Sequence, residues 1–147
     1  MKTFAMRTAF VMTLLIIFTS SSGCRQRLHP VPDIPFNFNI DINLPTYSAL
    51  QSIGNFAYID NIGIKGVVVY RRSMDEFVAF DRMSTAAGGD TCQPLFVDPN
   101  NLLILLDPCT PSTFSLFDGS LITGPAEWGL RAYRVIFNGM NIINIQN

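Results

Sequence analysis

The chain has 147 residues, which is enough for one domain but short for two, and 48% of its residues are apolar. Only 14% are charged, with 10 basic and 11 acidic residues. This composition can form a hydrophobic core. It shows no basic excess that would indicate nucleic-acid binding and no acidic run that would indicate a charged tail.

Residues 1–23 have the layout of a secretory signal peptide. Lys2 and Arg7 give a positive start, a nine-residue stretch over 10–18 with one polar member follows, and small residues come next. As a helix, nine residues span about 14 Å, which is too short for a bilayer core of about 30 Å. The pattern therefore predicts a cleaved signal rather than a transmembrane anchor.

Cys24 directly follows residues 21–23 (Ser-Ser-Gly), and this sequence resembles the lipobox of bacterial lipoproteins. The alternative is ordinary cleavage that leaves Cys24 as a free thiol. We expect lipidation of Cys24, which anchors the protein to a membrane of the bacterial cell envelope with its domain facing the periplasm or the surface. Export implies an oxidising compartment, where pairing of the two remaining cysteines, Cys92 and Cys109, is the default.

Residues 24–35 contain three prolines and no apolar period, which predicts an extended tether between the lipid and the domain. The tether holds His29, the single histidine of the chain. His29 could be a metal ligand or a pH switch. A solvated linker residue is the favoured interpretation because no partner residues surround it.

Residues 36–147 are predicted to form one all-β domain. Residues 36–44 alternate apolar and polar side chains, which predicts a strand that ends at Pro45. Residues 46–53 form a turn or a helical loop. Further β-rich runs cover residues 55–59, 66–70, 76–80, 95–97, 102–106, 113–117, 121–123, 131–137 and 140–145. Their spacing, with hairpin signals at Asp118-Gly119 and Asn138-Gly139, predicts a small antiparallel β-sandwich or barrel.

An ordered set of short motifs in the second half of the chain resembles the Rieske iron–sulfur domain family. The matching residues are Pro108, Cys109, Ser112, Phe114, Asp118-Gly119, Gly124-Pro125-Ala126, Leu130 and Tyr133-Arg134-Val135. The hairpin over residues 67–82 is similar to the family's approach to its first cluster loop, and the resemblance covers residues 66–137 in all. It implies a compact β domain that carries a [2Fe–2S] cluster on two cysteines and two histidines.

None of the four cluster-ligand positions implied by this resemblance carries its ligand. Ser84 and Ala86 fall on the cysteine and histidine positions of the first loop, and Asp107 and Thr110 fall on those of the second. A two-histidine site is also excluded because His29 is the only histidine. We therefore expect no cluster, no other cofactor and no metal, and the alternative is electron transfer by a cluster with unusual ligands such as Asp107 or Ser84.

The resemblance also assigns roles to Cys92, Cys109 and Trp128. Many Rieske domains pair a second cysteine from each loop, and Cys92 and Cys109 fall on these positions if the first loop has a short insertion. A redox-active pair is the alternative. Trp128 lies in the loop that shields the cluster in the family, where it either fills the space of the lost cluster or forms a binding anchor.

The function expected from the sequence is that of a non-enzymatic binding, structural or accessory module with no catalytic residues. Its partners would be the membrane, through the lipid, and an unidentified protein of the cell envelope, with no nucleic acid. Electron transfer through unusual ligands and a thiol-redox accessory role are the second and third hypotheses.

Overall fold

The computed structural model describes residues 28–147, so the predicted signal peptide and the lipidation of Cys24 lie outside the described residues. Within this part the chain forms ten strands and one short 3-10 helix, Pro45–Gln51, and every strand pair is antiparallel. The prediction of an all-β fold is confirmed. The strands are β1 (Asn37–Asp41), β2 (Phe56–Ile59), β3 (Val67–Arg71), β4 (Phe77–Asp81), β5 (Phe96–Asp98), β6 (Asn101–Leu106), β7 (Thr113–Ser115), β8 (Leu121–Thr123), β9 (Ala132–Phe137) and β10 (Ile142–Gln146).

The strands form two sheets. The larger one has six strands in the order β1-β10-β9-β4-β3-β2, and the smaller one has four in the order β5-β6-β7-β8. The hairpins predicted at Asp118-Gly119 and Asn138-Gly139 join β7 to β8 and β9 to β10. Gly119 and Gly139 have φ angles of 76° and 81°, which is the backbone conformation that makes glycine the favoured residue in such turns.

The two faces of β3 belong to two different hydrophobic clusters. Val67 and Val69 pack with residues of both edge strands, β1 and β2, which means that the six-stranded sheet curls around this first cluster. Val68 and Tyr70 point the opposite way and pack against the four-stranded sheet in the second cluster. This alternation explains why the run Val67–Tyr70 is apolar without a break: the strand is buried on both sides.

Strand ends differ from the predicted ones where an Asx turn intervenes. The predicted strand over residues 36–44 ends at Asp41, because the side chain of Asp41 accepts a hydrogen bond of 2.9 Å from the backbone N–H of Asn43 and turns the chain. The last strand begins at Ile142 rather than at residue 140 for a similar reason. The Asn138 side chain accepts the N–H groups of the three residues 140–142.

Among residues 28–147, no helix is long and apolar enough to cross a membrane.

Candidate functional site

Three loops meet at one end of the second hydrophobic cluster. The first loop (residues 82–95) joins β4 to β5, the second loop (residues 107–112) joins β6 to β7, and the third loop (residues 124–131) joins β8 to β9. A disulfide between Cys92 and Cys109, with Cα atoms 6.0 Å apart, links the first loop to the second. The predicted pairing of these cysteines is confirmed.

Hydrogen bonds tie the third loop to the other two. The Thr85 hydroxyl of the first loop donates to the backbone oxygen of Trp128 at 2.7 Å. The Ser112 hydroxyl of the second loop accepts the backbone N–H of Ala126 at 3.3 Å. Each of the three loops is therefore joined to both of the others.

The four positions that the Rieske resemblance assigns to cluster ligands lie together in these loops. Asp107 Oδ2 accepts hydrogen bonds from Ser84 Oγ at 2.5 Å and from Thr110 Oγ1 at 2.6 Å. Asp107 Oδ1 accepts the backbone N–H of Cys109 at 2.9 Å, and Ser84 Oγ accepts the backbone N–H of Ala86 at 3.1 Å. Three of the positions thus form one side-chain network, and the fourth, Ala86, bonds to it through its backbone.

This network favours an ionised Asp107. Burial raises the pKa of the carboxyl, but the hydroxyls of Ser84 and Thr110 and the backbone N–H groups of Cys109 and Thr110 together outweigh burial. The pKa therefore lies below its usual value, because hydrogen bonds to the charged form stabilise it. A carboxylate with such a pKa is a poor general base at neutral pH, and the network offers no activated nucleophile.

The residues of this site do not fit an iron–sulfur cluster. Asp107 and the two sulfurs have donor atoms within 4.8 Å of one another, yet both sulfurs belong to the disulfide and neither is the thiolate that binds a metal. The hydroxyls of Ser84 and Thr110 are already bonded to Asp107. Over residues 28–147, no buried side-chain nitrogen or oxygen lacks a hydrogen-bond partner, so no orphaned donor set awaits an ion.

A cleft of about 480 Å³ opens beside the network. Its walls come from the first loop, the third loop and the Pro-rich segment before β1. Its lining residues are Pro30, Pro32, Met83, Ser84, Thr85, Ala86, Ala87, Gly88, Gly89, Asp90, Pro125, Glu127 and Trp128. Trp128 is half-buried and lines this cleft together with Ser84 and Ala86.

The described part of the predicted tether, residues 28–35, lies against the domain. Val31 is 1% exposed, and Asp33 forms an ion pair of 2.9 Å with Arg131. His29, which we expected to be solvated, contacts the third loop: its Nε2 lies 3.2 Å from the backbone oxygen of Gly129, and its ring packs edge-on against Trp128 with centroids 5.6 Å apart. These contacts leave no signal in the sequence, because each is made to a residue about 100 positions away.

Sequence reasoning also missed Asp81, which fixes the start of the first loop. Its side chain is fully buried and accepts the backbone N–H of Ile64 at 2.6 Å, that of Met83 at 2.7 Å and the hydroxyl of Tyr133 at 2.7 Å. Burial and this hydrogen bond to Asp81 raise the pKa of Tyr133 well above its usual value. The only signal in the sequence was an acidic residue at the end of a buried strand.

Comparison with models of known protein families gives no match, and comparison with curated protein sequences gives none either.

Proposed function

We propose that this protein is an exported, lipid-anchored binding or accessory module of the bacterial cell envelope, built on a Rieske-like domain that holds no cluster. In this proposal the three loops form a rigid platform for a partner and perform no chemistry of their own. The lipid anchor rests on the sequence around Cys24.

The observation that carries this proposal is the network around Asp107. Four positions chosen only by resemblance are separated by up to 26 residues, yet they lie together in the folded chain. Two of the positions lie in the first loop and two in the second, and the contact between these loops, which the disulfide also holds, brings the four together. Their side chains are a carboxylate, two hydroxyls and a methyl group, which supports a Rieske-like site in which ligands have been replaced by groups that satisfy one another.

The contacts of the disulfide argue against a thiol-redox role. Cys92 is buried, and its Sγ lies 3.5 Å from Asp107 Oδ1. Reduction has to release a thiolate, and a negative charge beside the carboxylate of Asp107 would be unfavourable. These contacts favour a disulfide that clamps the two loops, which the chain-entropy estimate values at about 3 kcal/mol for a loop of this length.

The experiment is a measurement of iron, acid-labile sulfide and the visible spectrum, on the chain from Arg25 onward purified from a host able to build clusters. A colourless, folded protein with no iron is the expected result. Stoichiometric iron and sulfide would instead support electron transfer through unusual ligands.

The anchor needs its own test. In cells, the native chain should carry a lipid mass on its N-terminus and fractionate with membranes, whereas a Cys24→Ala variant should lose both properties. A native chain without the lipid mass would contradict the anchoring part of the proposal.

A further inference from the structure

The cleft beside the network has the size and rigidity of a binding site. Its volume of about 480 Å³ lies within the range of about 300 to 1,000 Å³ that is typical of ligand sites. Two of its lining residues are closely packed: a Cβ added at Gly89 would lie 2.0 Å from the backbone oxygen of Ser84. The disulfide and the hydrogen bond between Thr85 and Trp128 hold the loops on either side. Little ordering is therefore required when a ligand enters.

The charge of the cleft has one sign. Asp90 and Glu127 are the two charged residues in its lining, both acidic and both exposed, and the lining contains no Lys or Arg. Because Glu127 has an interaction of its own, Asp90 is the carboxylate that would pair with a cation. Such a cleft attracts a cation and repels an anion.

Trp128 supplies a second feature with the same preference. Trp128 lines the cleft, its ring meets that of His29 in a T-shaped contact, and its backbone oxygen accepts a hydrogen bond from the Thr85 hydroxyl. Among the aromatic side chains, the face of Trp attracts cations most strongly, and a planar guanidinium stacks on it well. Of the ten other lining residues, three are proline, two are alanine and one is methionine, and these apolar side chains suit the stem of a long side chain.

We propose that this cleft binds an arginine side chain of a partner protein, with its guanidinium on the indole of Trp128 and paired with the carboxylate of Asp90. This inference rests on the proposed function, because it names the class of group that the binding module accepts. An ammonium group is less favoured, since it lacks the planar face that stacks on an indole.

The test uses two short capped peptides that differ at one residue, arginine in one and the neutral, nearly isosteric citrulline in the other. The protein is the chain as a bacterial host processes it, kept in a nonionic detergent, and affinity is measured by calorimetry. Trp128 is the single tryptophan of the chain, so its fluorescence reports whether a peptide reaches this cleft. We expect the arginine peptide to bind and to shift this emission, the citrulline peptide to bind at least about 5-fold more weakly, and added salt to reduce the difference.

Variants of the protein test the pairing with Asp90 and the stacking on Trp128 separately. Asp90→Asn should weaken binding of the arginine peptide by about 2- to 5-fold, as expected for a partly exposed ion pair. Trp128→Leu should weaken it more. Asp98→Asn changes a carboxylate of the β5–β6 turn outside the cleft and should have no effect.

Two results would overturn the inference: equal affinity for both peptides, or no binding of the arginine peptide to folded protein at millimolar concentration. The comparison of peptides changes the ligand and not the protein, so it stands even if a variant fails to fold. Iron in the purified protein would overturn the proposed function instead, and this readout is independent of peptide binding.

Discussion

The substitution Asp107→Leu removes the centre of the hydrogen-bond network while it keeps a side chain of similar size. Asp107 is 8% exposed, and three donors lie within 2.9 Å of its carboxylate oxygens: the hydroxyls of Ser84 and Thr110 and the backbone N–H of Cys109. Leucine accepts no hydrogen bonds. The substitution therefore tests whether the network contributes to the stability of the fold.

The expected loss of unfolding free energy depends on the three hydrogen bonds and on whether their donors find other partners. Hydrogen bonds to a charged group contribute about 1.5 to 3 kcal/mol each. The hydroxyl of Thr110 can turn to that of Ser112, 2.9 Å away, and Cys109 is exposed enough for water to reach it, so part of the sum is regained. Asp107→Leu also removes the cost of burying a charge. We expect the free energy of unfolding to fall by about 3 kcal/mol.

The assay is equilibrium unfolding in denaturant under oxidising conditions, so that the disulfide stays intact. Asp118→Leu is the matched control. Asp118 also accepts hydrogen bonds from a hydroxyl and a backbone N–H, both of Ser120, but it lies in the exposed β7–β8 turn. The free energy of unfolding should fall much less in Asp118→Leu than in Asp107→Leu. Equal losses for the two variants, or an Asp107→Leu variant as stable as the native chain, would refute the account of the network.

Three further changes have defined outcomes. Replacing both Cys92 and Cys109 by Ser should lower the free energy of unfolding by about 3 kcal/mol, measured by denaturant titration, and an unchanged midpoint would contradict the clamp. Because the folded pKa of Asp107 lies below its unfolded value of about 3.9, its contribution to stability is complete above about pH 4 and is lost as the pH falls through the folded pKa. Thermal melts should therefore show a shallower acid decline in the Asp107→Leu variant, and parallel declines would contradict this assignment. Gly89→Ala should lower the melting temperature more than Gly88→Ala does, because the new Cβ at Gly89 would lie 2.0 Å from a backbone oxygen. At Gly88 the new Cβ would meet nothing within 4 Å, and the cost is only the strain of a side chain at a φ of 80°. The reverse order would contradict the packing of the first loop.

The strands were predictable because their signals are local. Alternating side chains mark strands within a few residues, and the Asp-Gly and Asn-Gly turns mark the β7–β8 and β9–β10 hairpins, which the sheets contain. The strand ends were less predictable. Asp41 and Asn138 cap turns with their own side chains, and the apolar pattern carries no sign of this competition.

The site was predictable only in part. The resemblance chose Ser84, Asp107 and Thr110, but it gave no reason to expect that they would bond to one another. The cleft was not predictable, because His29 contacts Trp128, and Pro30 and Pro32 line the cleft with it, across about 100 residues of the chain. Contacts of such long sequence separation leave no periodic signal in a single sequence.

The most direct test of the central claim is a reconstitution experiment. Folded protein is reduced at its disulfide, incubated with excess iron and sulfide without oxygen, desalted, and examined by electron paramagnetic resonance after reduction with dithionite. We predict no signal from a [2Fe–2S] cluster and iron at background level, because the four ligand positions carry Ser84, Ala86, Asp107 and Thr110. A stoichiometric cluster signal that Asp107→Leu abolishes would contradict the account and would make this chain an electron-transfer protein with unusual ligands.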